Sequence, residues 1–268
     1  MKQNNYTDTS VLVVSCDKYS DMWKPFFTLC RRYWPDNPLK VYLGSNHLVY
    51  TDSDVTTLLA GEDKSWSHGL LKMIQQVETP YVILMLEDFF LQETVNTDSV
   101  IKCINTLKNL DGHMLRLIPR PGPDKGVADH PFLGYIKSDA SFRVSTQGTL
   151  WRKSALLSLI REGESAWEFE LNSTERSRNQ KNGYYCVWKP VLTYKHHVVE
   201  RGKWFRSEAR KFGAMNIGCD FSRRAVMSVY ETYMWHVGKL LSFPKNMIPW
   251  GFRQKIKERG TSFILSEK

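Results

Sequence analysis

The sequence predicts an α/β domain, a mixed sheet flanked by helices, followed by a basic helical C-terminal extension. Three observations carry that expectation. The run Tyr81-Val82-Ile83-Leu84-Met85-Leu86 is unbroken and apolar, as in a central strand buried on both faces. It ends abruptly in Glu87-Asp88, and Phe89-Phe90-Leu91 then resumes the apolar texture. Ahead of it, short apolar runs and amphipathic segments follow one another in the order β-α-β-β-α-β with short connections, the pattern of a nucleotide-binding α/β half. Charge supplies the third observation. Residues 195–268 hold fifteen Lys/Arg against six Asp/Glu, an excess that equals the net +9 of the whole chain and leaves the rest neutral.

The elements follow in order. Val11–Val14 reads as a short buried strand, and Asp21 is expected to cap a helix running to Tyr33, which Trp34-Pro35-Asp36-Asn37-Pro38 breaks. Leu39–Leu43 and Val55–Leu59 are the next strands. Ser65 is placed to cap a helix from Trp66 to Val77, whose Leu70, Leu71, Ile74 and Val77 recur at helical spacing. After the strand Tyr81–Leu86, Thr97 or Asp98 opens a helix toward Leu110, and His113–Ile118 is a further strand. The segment from Pro119 to Asp139 carries turn-forming residues throughout. Phe142–Trp151 is expected as a strand, Lys153–Ile160 as a helix, and Ser165 as the cap of a short helix. Tyr184–Trp188 and Val191–His197 read as two short strands. Beyond Ser207 the pattern is helical, so the expected division is a domain over 1–206 and an extension over 207–268.

Bulk properties bound the function. At 268 residues, 42% hydrophobic and 24% charged, the chain has the composition of a soluble protein with one large core. Met1 to Asp8 lacks the apolar core of a signal peptide, and no stretch reaches the roughly 18 apolar residues of a spanning helix. A cytoplasmic location is therefore expected. Five scattered cysteines without a CxxC pair read as free thiols. The first loop lacks GxGxxG and the chain lacks GxxxxGK[ST], which disfavours a dinucleotide dehydrogenase and a P-loop NTPase.

Glu87-Asp88 carries the sharpest chemistry. Carboxylates at the carboxyl end of a central strand lie where open α/β sheets bind ligands, and their oxygens suit Mn²⁺ or Mg²⁺ carrying a diphosphate. A plainer reading makes them a helix cap or partners of an arginine.

The strand closing in Leu86-Glu87-Asp88-Phe89-Phe90-Leu91 resembles a variant of the DxD element of GT-A glycosyltransferases, whose sheet is Rossmann-like and whose donors are nucleotide-diphospho-sugars. Val13-Val14-Ser15-Cys16-Asp17-Lys18-Tyr19-Ser20-Asp21 with Trp23-Lys24-Pro25-Phe26-Phe27 is similar to the opening of bacterial GT-A-like enzymes of surface polysaccharide synthesis, O-antigen, capsule or lipopolysaccharide. Trp66-Ser67, Trp151-Arg152-Lys153 and Gly163-Glu164-Ser165 with Trp167-Glu168-Phe169-Glu170 add to the likeness, which spans residues 10 to 205. One departure stands: Leu86 replaces the first carboxylate of the usual element.

The resemblance implies roles. Ser15, Cys16, Asp17 and Tyr19 would hold the nucleotide, with Asn46, Trp66 and Ser67 completing the pocket; an ordinary β–α turn is the alternative for the first group. Glu87, Asp88 and His197 (or His196) would bind the metal, and Arg201 and Lys203 would clamp the diphosphate. Glu168 or Glu170 would act as the base of an inverting transfer to a glycan or lipid-linked glycan, Glu168 being favoured; the alternative is an acidic helix start. The tail mixes Trp235, Phe243, Trp250 and Phe252 with Lys and Arg, as at an anionic inner membrane leaflet or as a helical subdomain packed on the core. No zinc, RNP or helix-turn-helix signature supports a nucleic-acid partner. Two other functions remain open, a nucleotidyltransferase and a non-catalytic glycan- or anion-binding module.

Overall fold

The computed structural model describes residues 6–246. Within them, thirteen strands and seven helices follow in the order β1 Thr9–Val14, α1 Ser20–Tyr33, β2 Lys40–Ser45, β3 Val55–Leu59, α2 Trp66–Gln76, β4 Tyr81–Leu86, β5 Phe90–Leu91, α3 Thr97–Asn109, β6 Met114–Arg116, β7 Lys125–Val127, β8 His130–Tyr135, β9 Thr149–Arg152, α4 Lys153–Leu159, α5 Ala166–Ser177, β10 Tyr184–Val187, β11 Tyr194–Lys195, β12 Val199–Glu200, β13 Lys203–Trp204, α6 Arg206–Ala214 and α7 Val229–Asn246. Nine of the strands form one mixed sheet in the order β3-β2-β1-β4-β9-β6-β10-β8-β7. The first four run parallel, β9 is antiparallel to both β4 and β6, and the β7–β8 hairpin closes the far edge.

Alternation along the central strands explains the layers. Val11, Val13, Ile83 and Met85 face one core, where Phe26, Phe27, Val100, Ile104 and Leu107 of α1 and α3 pack. Leu12, Val14, Val82 and Leu84 face the other, against Leu70, Met73 and Ile74 of α2, Leu156 of α4 and Phe169 of α5. Both faces are covered, so the successive side chains Val11–Val14 of β1 and Val82–Met85 of β4 are all apolar.

Several expectations are corrected. Asp21 does not cap α1: the helix has no side-chain cap, and Asp21 in its first turn is buried against Arg224. The α3 cap is Asn96, whose side chain accepts from Ser99 N–H at 2.8 Å. Between Pro119 and Asp139 the turn residues conceal β7 and β8, because Gly126 and Gly134 face each other across the hairpin where little side chain is needed. Of Phe142–Trp151 only the end is strand; residues 142–148 form a loop held by polar contacts, including Arg116 Nη2 to the Phe142 carbonyl at 2.6 Å. The turn at Glu87-Asp88, closed by Phe89 N–H to the Leu86 carbonyl at 3.1 Å, takes the chain out of the main sheet. Phe90–Leu91 then pairs with β11, which is all that forms of the expected Val191–His197 strand.

Beyond Ser207 the chain is not uniformly helical. Residues 215–228 between α6 and α7 are irregular, and they return to the first β–α connection. Trp235 packs edge-on to Phe205, with ring centroids 4.8 Å apart. Trp250 and Phe252 lie outside the described residues, and at Phe243 only the helical backbone is described. No described helix is long and apolar enough to cross a membrane. All five cysteines are free.

Leu150, fully buried at the centre of β9, tests the layered core. Leu150→Ala is expected to cost about 2–5 kcal/mol, read as a lower urea midpoint at an unchanged slope.

Candidate active site

The parallel strands β1, β2 and β4 end on one rim, and there a cavity of about 260 Å³ opens. Its walls come from five stretches of sequence: Val14 to Tyr19 after β1, Asn46 after β2, Asp63 to Met73 in the β3–α2 loop and α2, Leu86 to Asp88 after β4, and Ala166 at the start of α5. Strands that stop together at one edge leave their following loops to line a crevice, which is why this end of such a sheet collects ligand contacts.

Glu87 is buried at 8% exposure and Asp88 is half-buried. Neither carboxylate has a salt-bridge partner among the described residues. Burial pushes Glu87 well above the usual carboxylate range, and the neighbouring Asp88 pushes it further. Burial likewise raises Asp88, to about 6, against the opposing pull of His197 and its own backbone N–H. Arg224 favours the charged form of both without pairing with either.

The donor chemistry suits a hard divalent cation, with one limit. Among the described residues no group of three or more His, Cys, Asp and Glu is placed to hold a metal ion. Two adjacent carboxylates fit an ion that arrives with phosphate oxygens and keeps its waters, as Mg²⁺ does, better than one enclosed by protein ligands. His197 is exposed, in a left-handed conformation at φ 52°, and acts on Asp88 only through charge. The adjacent His196 is half-buried between Phe89 and Tyr194, with Nε2 unpartnered and burial holding its pKa down to about 4.

The other expected residues divide between wall and scaffold. Ser15, Cys16, Tyr19, Asn46 and Trp66 line the cavity. Ser15 Oγ accepts from Trp23 Nε1 at 2.8 Å, and the Cys16 thiol is pushed up to about 11 by burial and by Glu87, so it stays protonated. Asp17 points elsewhere. Its carboxylate accepts from the backbone N–H of Asn46, His47 and Leu48 at 3.0, 3.1 and 3.2 Å, while its own N–H donates to Asn46 Oδ1 at 3.1 Å. That reciprocal clasp fixes the ends of β1 and β2 relative to each other. Ser67, fully buried, accepts from Glu164 N–H at 2.9 Å, and Ser65 Oγ accepts from Gly163 N–H at 3.1 Å, so the cap of α2 also anchors the loop that begins α5.

Neither Glu168 nor Glu170 is on the cavity wall. Glu168 is exposed and completes a capping box, accepting from Ser165 N–H and Oγ at 2.8 Å. Glu170 accepts from the backbone N–H and the hydroxyl of Thr146, tying α5 to the 142–148 loop. Arg201 and Lys203 also lie off the wall; Lys203 pairs with Glu231 at the start of α7. Two wall or near-wall residues escaped the sequence reading. Asp63, which binds Lys18 at 2.8 Å, follows a parallel strand and so stood at a position where a signal existed. Arg224 had none, because its partner Asp21 lies at the other end of the chain.

No family model matches the chain, and no curated protein matches it. Among solved structures it is similar to S. aureus TarS 1–349 in complex with UDP (TM-score 0.47, 13% identity, 70% of this chain and 59% of that one). It is also similar to 2-C-methyl-D-erythritol 4-phosphate cytidylyltransferase from Thermus thermophilus (TM-score 0.45, 9% identity, 77% and 97%). A third is UDP-glucose pyrophosphorylase complexed with UDP-glucose (TM-score 0.44, 9% identity, 70% and 91%). The chain spans 60%, 59% and 57% of the three TarS 1–349 chains it matches.

The acidic pair has a consequence for stability. Folded-state pKa values above the unfolded ones mean that the folded chain holds protons the unfolded chain releases. Stability from this source is full below the ordinary carboxylate range and is lost as pH rises through about 6. Asp88→Asn removes the charge that burial opposes. Its urea midpoint is expected above the parent's at pH 7.5, with the difference shrinking toward pH 4.

Proposed function

We propose that the cavity binds a nucleotide-diphospho-sugar and that the chain is a glycosyltransferase of the GT-A type, transferring the sugar to a glycan or lipid-linked glycan acceptor. One observation carries the reading: two adjacent carboxylates, one buried and one half-buried, without a cationic partner among the described residues, face a cavity at the carboxyl ends of parallel strands. An uncompensated buried anion is costly, and a divalent cation with a diphosphate is the ligand whose charge and oxygen chemistry offset that cost. Asp88, with Glu87, would hold Mn²⁺ or Mg²⁺, and the bound ion would neutralise charge on the departing diphosphate.

The chain's own residues do the rest by placement. Tyr19 and Trp66 offer flat walls for a base or sugar ring, and Leu86 and Met73 supply apolar surface that excludes water. The clasps at Asp17 and Ser67 hold those walls before a ligand arrives, so little ordering is left for binding. No proton transfer is assigned to Glu168 or Glu170, whose carboxylates already cap a helix and hold a loop. For the acceptor side, Val229, Tyr230 and Tyr233 expose 68%, 70% and 62% of their surface on α7, at the head of a basic tail. That composition supports a lipid-linked acceptor of surface polysaccharide synthesis met at an anionic leaflet.

A thermal-shift panel of UDP-, GDP-, CDP-, ADP- and dTDP-sugars, each with and without Mn²⁺, tests the reading. At least one is expected to stabilise the parent in the presence of the ion, and Asp88→Ala to lower its turnover about 100-fold or more. Turnover unchanged in Asp88→Ala removes the assignment. A collapse of turnover in Glu168→Ala with binding retained would restore that carboxylate as the base.

A further inference from the structure

One wall of the cavity is fixed by a residue from the far end of the chain. After α6 the backbone runs back alongside β13: Trp204 N–H donates to the Ala225 carbonyl and Met227 N–H to the Trp204 carbonyl, both at 2.9 Å. This places Arg224 in the first β–α connection, where it is 7% exposed. Its Nε donates to Asp21 Oδ2 and its Nη2 to Asp21 Oδ1, each at 2.8 Å, a forked pair with a carboxylate that is itself 8% exposed. Nη2 also donates to the Lys18 carbonyl at 2.7 Å. The guanidinium carbon lies 4.3 Å from the centre of the Tyr19 ring. Arg223 adds a bond from Nη2 to Ser20 Oγ at 3.1 Å. A single planar cation thus grips residues 18, 19 and 21, and Tyr19 is a cavity wall.

We propose that Arg224 is a positioning residue for the donor site: it sets the Tyr19 ring against the cavity, so that the segment following α6 completes the nucleotide pocket. The inference rests on the reading of the cavity as a nucleotide-diphosphate site. The chemistry calls for arginine. A lysine would keep the charge, but it could neither fork onto Asp21 while holding the Lys18 carbonyl nor lie flat on an aromatic face. An ion pair that only stapled the two chain ends would need no stack on a wall residue. Removing one partner alone would strand a buried charge and endanger folding, whereas removing both together is often tolerated.

The experiment uses the full chain and two variants, Arg224→Lys and the double variant Asp21→Asn with Arg224→Met. Calorimetric titration with UDP, GDP, CDP, ADP and dTDP, each with Mn²⁺, identifies the diphosphate bound by the parent, and urea midpoints are measured alongside. Both variants are expected to fold, and each to bind that diphosphate at least tenfold more weakly. A mere staple would move the urea midpoint and leave the dissociation constant alone. Binding within twofold of the parent in a folded variant therefore overturns the role of Arg224 while the cavity's assignment stands. Absence of binding by the parent to all five diphosphates overturns the assignment of the cavity itself.

Discussion

Desolvation of two neighbouring carboxylates at the end of β4 is the constraint around which the rim of this sheet is organised. The strand that delivers Glu87 and Asp88 must be apolar on both faces, and the chain must leave the sheet immediately afterwards, because Phe89, Phe90 and Leu91 are buried too. A turn satisfies both needs and leaves the acids at the lip of a cavity. Structural acids elsewhere in the chain are handled differently. Glu164 is buried against Arg176 at 2.7 Å and Asp21 against Arg224 at 2.8 Å, each with a forked guanidinium. Glu87 and Asp88 are set apart because no such cation meets them among the described residues.

Around that pair the walls are assembled by polar clasps between segments distant in sequence. Asp17 gathers three backbone donors after β2, Ser65 and Ser67 gather the 163–164 loop, and Arg224 gathers the 18–21 turn. Each of these bonds satisfies backbone groups that a loop at a sheet edge would otherwise leave to water. A side chain used in this way is occupied, which is why Asp17 and Glu170 belong to the scaffold although their residue type also suits chemistry.

Much of the frame was legible in the sequence. The β1, β4, α2 and α5 segments were readable because burial on two faces enforces unbroken apolar runs, and because Ser65 and Ser165 are caps with a local mechanism. The β7–β8 hairpin was hidden by glycine and proline, which signal turns and edge strands alike. Among the site residues, Glu87 and Asp88 were identified from strand-end position and Tyr19 and Trp66 through the resemblance, and all four line the cavity. Glu168 shows the opposite case: the same letters, Ser-x-x-Glu, spell a capping box, and only the hydrogen bonds reveal that the carboxylate turns back on its own helix.

By itself, the sequence determined that a mixed α/β core exists and that two acids terminate its central strand, since both follow from local patterning and chain order. Which acids stay unpaired, which are consumed as caps and clasps, and which cation reaches the first loop were decided by the tertiary structure. Those outcomes depend on distances between residues such as 21 and 224 or 67 and 164. A one-dimensional pattern carries no record of such pairings, because any of several guanidinium groups along the chain could have met Asp21, and packing selects among them.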